Sequence, residues 1–141
     1  MSKSVIEGFK FRHQSIVDSI DQIMPLTRSY IIAKPKIREM NERLISHLSH
    51  QDGEFFGRLR TYYQNDREVV KLVEFLMHDL KDMKVKYLIF FEKYTGEMDD
   101  IGSRNFPLRF TEFSRDVIAR IKIEEEYLFP LIEKCPNFPS D

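Results

Sequence analysis

Five polar residues interrupt helical faces that are otherwise apolar, and their side chains could carry acid–base or ionic chemistry. They are His13, His47, Gln51, Arg120 and Glu124. His47 and Gln51 are four residues apart, and so are Arg120 and Glu124, so each pair shares one face of a helix. A polar group that is buried without a partner costs roughly 2–7 kcal/mol. We therefore expect the five side chains to meet in the core as one hydrogen-bonded layer.

Three interpretations of this layer are open. A satisfied polar core would fix the register between the helices. A di-iron site would use inward-facing histidines and carboxylates, and a spacing of four residues places two ligands on one helix. The third interpretation is a remnant of such a site, kept for stability while the function moved to the surface.

The residue types favour an interpretation without metal. Arg120 occupies a position suited to a ligand, but a guanidinium has a fixed charge and cannot coordinate. The inner face of the third helix offers no histidine, because the helical spacing predicts that His78 faces solvent. We therefore expect no bound metal and no cofactor. The ligands of the alternative di-iron site would be His13, His47, His50, Glu54 and Glu124.

Four long segments with helical periodicity surround these residues and predict one all-α domain, 1–141, folded as an up-down-up-down four-helix bundle. The predicted helices are Lys3–Met24, Pro35–Tyr63, the stretch between an N-cap at Asp66 and a stop at Gly96, and Pro107–Glu133. Gly53 is expected to lie inside the second helix. The segment 96–105 is expected to be an acidic, then polar, loop.

The composition excludes several classes of protein. The net charge is −1, so no broad basic field would attract nucleic acid or an acidic membrane surface. No apolar run approaches the roughly 20 residues needed to span a bilayer, and the N-terminus lacks the apolar core of a signal peptide. Cys135 is the only cysteine, which excludes an internal disulfide and fits a reducing compartment. We expect a cytoplasmic protein.

Catalytic motifs are also absent from the sequence. It contains no glycine-rich loop that could hold a phosphate and no nucleophile motif. Cys135 lies in a proline-flanked tail without a nearby histidine in the sequence. The chain is therefore not expected to be an enzyme.

Two segments of the chain resemble the Rsd/AlgQ regulators, which are bacterial anti-sigma factors. The segment LISHLSHQDGEFFGRL resembles the family signature at Leu44, Ile45, Leu48, Ser49 and Phe56. His47 stands in place of a family tyrosine, and the segment 50–52 stands in place of Ala-Gly-His.

The segment ARIKIEEEYL resembles the family's Arg-Phe-x-Leu-Glu-Asp, with Arg120, Glu124 and Glu125 in register. Arg12 and His13 resemble an Arg-His pair that some members carry in the first helix. The resemblance implies a non-enzymatic regulator that binds the primary sigma factor of RNA polymerase.

A second resemblance concerns the end of the chain. The segment EEEYLFPLIEK is similar to the close of a hemerythrin-like HHE domain, in which a histidine stands where this chain has Arg120. Gln51 and Asp52 stand where that family has a pair of glutamates. The resemblance implies the same hemerythrin-like architecture and, as an alternative function, a di-iron or other cation-binding protein with a degenerate metal site.

A protein that acts by binding a partner needs apolar residues outside its core. The helical spacing places such residues, together with two polar ones, on the outer faces of the third and fourth helices. They are Phe75, His78, Asp82, Val85 and Ile89 on the third helix and Ile118 and Phe129 on the fourth. We expect these residues to form the surface for the sigma factor.

Overall fold

Helices form nearly all of the part of the chain that can be described. The computed structural model describes residues 2–97, 100–135 and 138, and these contain helices and turns but no strand. The helices are α1 (Ser2–Ile23), α2 (Tyr30–Ser49), α3 (Gly53–Tyr62), α4 (Arg67–Tyr94), α5 (Asp100–Ile123) and α6 (Phe129–Glu133). A short 3-10 turn, Met24–Leu26, follows α1, and a π-helical segment, Glu124–Leu128, joins α5 to α6.

The six helices form four antiparallel columns, which confirms the predicted all-α four-helix bundle. The columns are α1, α2 with α3, α4, and α5 with the π-helical segment and α6. Side-chain contacts show the alternation of direction. Phe9 of α1 contacts Phe129 near the end of the chain, whereas His13, one turn later, bonds to Glu124. No helix in the described ranges combines the length and the apolar character needed to cross a membrane.

The prediction for the second helix is wrong in two respects: the helix begins earlier than predicted, and it is divided into two helices. Helix α2 begins at Tyr30, before Pro35, and the Tyr30 hydroxyl donates hydrogen bonds to the carbonyls of Tyr94 and Gly96, at 2.7 and 2.9 Å. These contacts and the burial of Tyr30 and Ala33 offset the hydrogen bond that a proline removes. The column then breaks after Ser49, because the Asp52 side chain accepts from the Phe55 amide and caps a new helix at Gly53.

The fourth predicted helix begins too late. Helix α5 starts at Asp100, so Pro107 lies inside it and the segment 100–105 is helical rather than a loop. Residues 98 and 99 of the predicted loop lie outside the described residues. Phe106 is fully buried against the rings of Tyr30 and Tyr94, and this burial extends the helix towards its N-terminus. The N-cap at Asp66 is confirmed, since its side chain accepts from the Val69 amide.

Two hydrophobic clusters fill the bundle, one towards each end. The aromatic cluster contains Tyr30, Tyr87, Phe90, Phe91, Tyr94, Phe106, Phe110 and Phe113 with aliphatic residues of α1 and α2. The second cluster contains residues of α1, α3, α4, the π-helical segment and α6, among them Phe9, Leu59, Leu76 and Leu128. Between the two clusters the core is polar, and this division positions the candidate site.

Candidate functional site

The five polar residues singled out in the sequence lie together in the middle of the bundle and are called the polar layer below. His13, His47, Gln51, Arg120 and Glu124 each expose 3% or less of their surface. Helices α1, α2 and α5 present His13, His47 and Arg120, while Gln51 lies in the break between α2 and α3. Glu124 is the first residue of the π-helical segment.

Both oxygens of the Glu124 carboxylate are occupied by hydrogen-bond donors from this layer. Oε1 lies 2.6 Å from His13 Nε2 and 2.9 Å from His47 Nε2. Oε2 accepts from Gln51 Nε2 and from Arg120 Nε, each at 2.9 Å. Four donors thus surround one buried carboxylate, and the Arg120 guanidinium supplies the opposite charge.

Arg120 is itself satisfied by three further acceptors. Its guanidinium donates to the Leu76 carbonyl at 3.1 Å, to Asp79 Oδ2 at 2.9 Å and to Gln51 Oε1 at 3.1 Å. Asp79 was not predicted from the sequence, although it lies three residues after Leu76 and therefore on a flank of the same helical face. Through Asp79 and Leu76, α4 joins the layer even though its inner face has no histidine.

The π-helical segment allows two consecutive carboxylates to reach one histidine. His13 Nε2 contacts Glu124, and His13 Nδ1 lies 2.9 Å from Glu125 Oε2. In an α-helix, neighbouring residues are rotated by about 100°, which carries the second carboxylate away from the ring. A π-helical turn contains more residues, so this rotation is smaller. A carboxylate oxygen therefore lies within hydrogen-bond distance of each ring nitrogen of His13.

His47 is held in one tautomer by a residue from α1. Arg12 Nε donates to His47 Nδ1 at 3.3 Å, which assigns the ring proton to Nε2, where it is donated to Glu124. Burial lowers the pKa of His47 below its ordinary value of 6.5, and the charges of His13 and Arg12 act in the same direction. The hydrogen bond to Glu124 opposes this effect without cancelling it.

The Glu124 carboxylate remains ionised despite its burial. Burial alone would raise its pKa, but the hydrogen bonds from His13 and His47 and the charge of Arg120 hold the pKa well below its ordinary value. The layer thus contains a permanent buried negative charge whose partners all belong to this chain.

Three of these residues have the composition of a metal site. His13, His47 and Glu124 offer ligand atoms that all lie within 4.8 Å of one another. A metal would need a lone pair at His47 Nε2, but the Arg12 contact places the proton there. A cation would also have to displace donors from Glu124 and lie beside the Arg120 guanidinium. The residues present therefore fit a closed hydrogen-bond network and do not fit a di-iron centre.

The other two ligands of the alternative metal site lie apart from the polar layer. His50 Nδ1 contacts the Ser46 carbonyl at 2.7 Å, and Glu54 is exposed and pairs with Arg58 at 2.7 Å. Among the residues that the structure describes, neither joins the group formed by His13, His47 and Glu124.

The residues predicted for a partner surface fall into two groups. Those on α4 are all exposed, and we call them the α4 surface: Phe75, His78, Asp82, Val85 and Ile89. The prediction is wrong for the other two. Ile118 is half-buried and packs against the aromatic cluster. Phe129 exposes only 7% and stacks on the His13 ring, at 5.7 Å between centroids and 6° between planes.

The π-helical segment explains the error at Phe129. Spacing on a regular α-helix places Ile118 and Phe129 nearly in line, because they are eleven residues apart. The intervening π-helical residues each advance less than 100°, which rotates Phe129 towards the core.

An apolar groove beside the α4 surface was not predicted. It lies between α2 and α4, has a volume of about 300 Å³, and exposes Ile45 by 58% and Leu88 by 60% at its edges. Lys84 and Glu92 lie along its α4 side. In the sequence, the residue that indicates this groove is Leu88, an apolar residue that directly precedes Ile89 of the α4 surface.

Comparisons of the chain with models of known protein families, with curated protein sequences and with solved structures found no match.

Proposed function

We propose that this chain is a non-enzymatic regulator of transcription that binds the primary sigma factor of RNA polymerase, as its resemblance to the Rsd/AlgQ anti-sigma factors implies. The α4 surface is the observation that carries the proposal. Phe75, Val85 and Ile89 are 52%, 57% and 63% exposed on the longest helix of the bundle. Apolar side chains held in water gain roughly 25 cal/mol for each Å² that a partner covers.

The spacing of the α4 surface suits contact with a helix of the partner. Its five residues follow one another in steps of three, four, three and four. This is the spacing of a face that packs along a second helix. His78 and Asp82 form its polar centre, and apolar side chains lie on both sides. The α2–α4 groove continues the apolar area through Leu88 towards Ile45.

The polar layer supports a role without catalysis. Its carboxylate is surrounded by four donors from the same chain, so Glu124 has no unoccupied oxygen that could act as a base on a substrate. A sigma factor acts in the cytoplasm, and the proposal therefore includes a cytoplasmic location. The buried thiol of Cys135 fits that compartment.

The proposal is tested by titrating the purified chain with the primary sigma factor of the same organism and measuring affinity calorimetrically. We expect binding at micromolar concentrations or tighter. Phe75→Ala should weaken it at least tenfold, because aromatic anchors of an interface contribute about 2 kcal/mol or more. The melting temperature should stay nearly unchanged, since the ring is half exposed.

Phe11→Ala is the matched control, because Phe11 is also an exposed phenylalanine, at 76%, but lies on α1. It should leave the affinity unchanged. Absence of binding by the unmodified chain at micromolar concentrations would refute the sigma-factor assignment. An equal loss in both variants would refute the role of the α4 surface.

The alternative function is a hemerythrin-like protein that binds a cation, and the grouping of His13, His47 and Glu124 favours it. The arrangement of Arg12 and Arg120 around these residues argues against it. Elemental analysis of chain purified without added metal separates the two proposals. One or two irons per chain, lost in His47→Ala, would favour the alternative.

A further inference from the structure

A cleft of about 620 Å³ lies between α1 and the last column of the bundle. This volume is in the range of sites that bind small molecules, roughly 300–1,000 Å³. The cleft shares no residue with the α4 surface, so an inference drawn from it does not depend on the proposed function.

One end of the cleft is apolar. Helix α1 and the last column are antiparallel, because Phe9 contacts Phe129 while His13 contacts Glu124. Val17, one turn beyond His13, is therefore opposite the α5 residues that precede Glu124. The cleft residues there are Ile118 and Ile121, so three aliphatic side chains form its walls.

The cleft also carries positive charge, with one lysine on each of its two walls. Lys10 and Lys122 line the cleft and are exposed. Within the part of the chain that the structure describes, neither ammonium has an acidic partner within salt-bridge distance. Two cationic groups beside an aliphatic wall form a site for a molecule with an anionic head and an apolar body.

The His13–Glu125 contact closes the inner side of the cleft. Glu125 Oε2 lies 2.9 Å from His13 Nδ1, yet the Glu125 side chain is 47% exposed. Because its side chain is already half exposed, the Glu125 carboxylate can turn towards solvent without leaving a buried environment. A second carboxylate arriving in the cleft could take its place on Nδ1, so the histidine would keep a hydrogen-bond acceptor.

We propose that this cleft binds an amphipathic monocarboxylate of the size of a medium-chain fatty acid. The carboxylate lies between Lys10 and Lys122 and replaces Glu125 on His13, and the chain lies along Val17, Ile118 and Ile121. His13, which holds the carboxylate, and Val17 are four residues apart, about 6 Å along a helix axis, and an eight-carbon acid is long enough to cover this distance.

The experiment is a titration of the full chain with octanoate, followed by NMR of the backbone amides and of the His13 ring. We expect saturable shifts confined to the cleft, with a Kd below about 1 mM. Octan-1-ol and octylammonium serve as matched probes, because they keep the chain length and remove or reverse the charge. Both should bind at least fivefold more weakly than octanoate.

Variants separate the two parts of the site. Lys10→Gln combined with Lys122→Gln should weaken octanoate at least fivefold, whereas Lys84→Gln, on α4, should not change its affinity. Glu125→Ala should tighten binding, because it removes the competing carboxylate. Equal affinity for octanoate and octan-1-ol, no effect of the double lysine variant, or no saturable shift at millimolar octanoate would each overturn the proposal.

Discussion

The polar layer and the α4 surface each depart from the usual distribution of side chains, in opposite directions. The layer places charged and polar groups in the centre of the core, whereas the α4 surface places apolar groups in water. In the layer, each oxygen of Glu124 has two donors from this chain. The apolar groups of the α4 surface are exposed to solvent.

The difference between the two regions separates stability from binding. Buried polar groups that satisfy one another specify how helices align, and their disruption is costly. Exposed apolar groups contribute little to the stability of the folded chain and much to an interface. We therefore expect substitutions in the polar layer to change folding, and substitutions on the α4 surface to change association.

The largest effect is expected from Arg120→Ala. This change leaves the buried Glu124 carboxylate and the Asp79 carboxylate without their cation, at a cost of roughly 3–5 kcal/mol in the free energy of unfolding. Lys122→Ala, two residues away and exposed, should cost less than about 0.5 kcal/mol. Urea titrations measure both. Similar small changes in the two variants would show that the layer is not energetically connected.

The pH dependence of stability should give a smaller effect. The pKa of His47 is lowered by folding, so the unfolded chain binds the proton more readily and acidification from pH 7 to pH 5 favours unfolding. For one proton, the free energy of unfolding changes by at most about 1.4 kcal/mol per pH unit. Below about pH 4.3 the unfolded chain also protonates Glu124 while the folded chain keeps it ionised, because folding lowers its pKa, and this adds to the loss of stability.

His47→Gln isolates the histidine, since a glutamine amide can still donate to Glu124 but does not titrate. Between pH 7 and pH 5, urea titrations of this variant should show a shallower loss of stability than the unmodified chain. Identical slopes would mean that another group causes the acid sensitivity.

The smallest effect on stability is expected from Ile89→Ser on the α4 surface. Ile89 is 63% exposed, so the free energy of unfolding should change by no more than about 0.5 kcal/mol. Thermal unfolding by circular dichroism measures this change. A loss above 2 kcal/mol would show that the α4 surface supports the fold and would remove the contrast between the two regions.

Helical periodicity predicted the four columns of the bundle, because the apolar residues repeat along each column. The ends of the helices were harder to predict, since capping and tertiary burial decide them. The sequence pattern predicts that helices begin at Pro35 and Pro107, yet burial of Tyr30 and Phe106 extends both helices beyond these prolines. The cap at Asp52 divides the second column, and that break contains Gln51.

The five residues of the polar layer could be predicted because each interrupts an apolar face. Asp79 and Glu125 could not, because they lie on flanks of their helices and become partners only through tertiary geometry. The π-helical segment has no signal in periodicity alone. It brings Glu125 to His13 and turns Phe129 inward, so a single local feature accounts for one missed partner and one wrong surface residue.

The protonation of the His47 ring tests most directly whether the layer is a closed network. Long-range nitrogen–proton NMR spectra of the histidine rings should show the proton on Nε2 and none on Nδ1 at pH 7. One equivalent of ferrous iron, added without oxygen, should leave the His13 and His47 signals unchanged. A proton found on Nδ1 in place of Nε2, or loss of both ring signals on adding iron, would contradict the account and indicate a metal site.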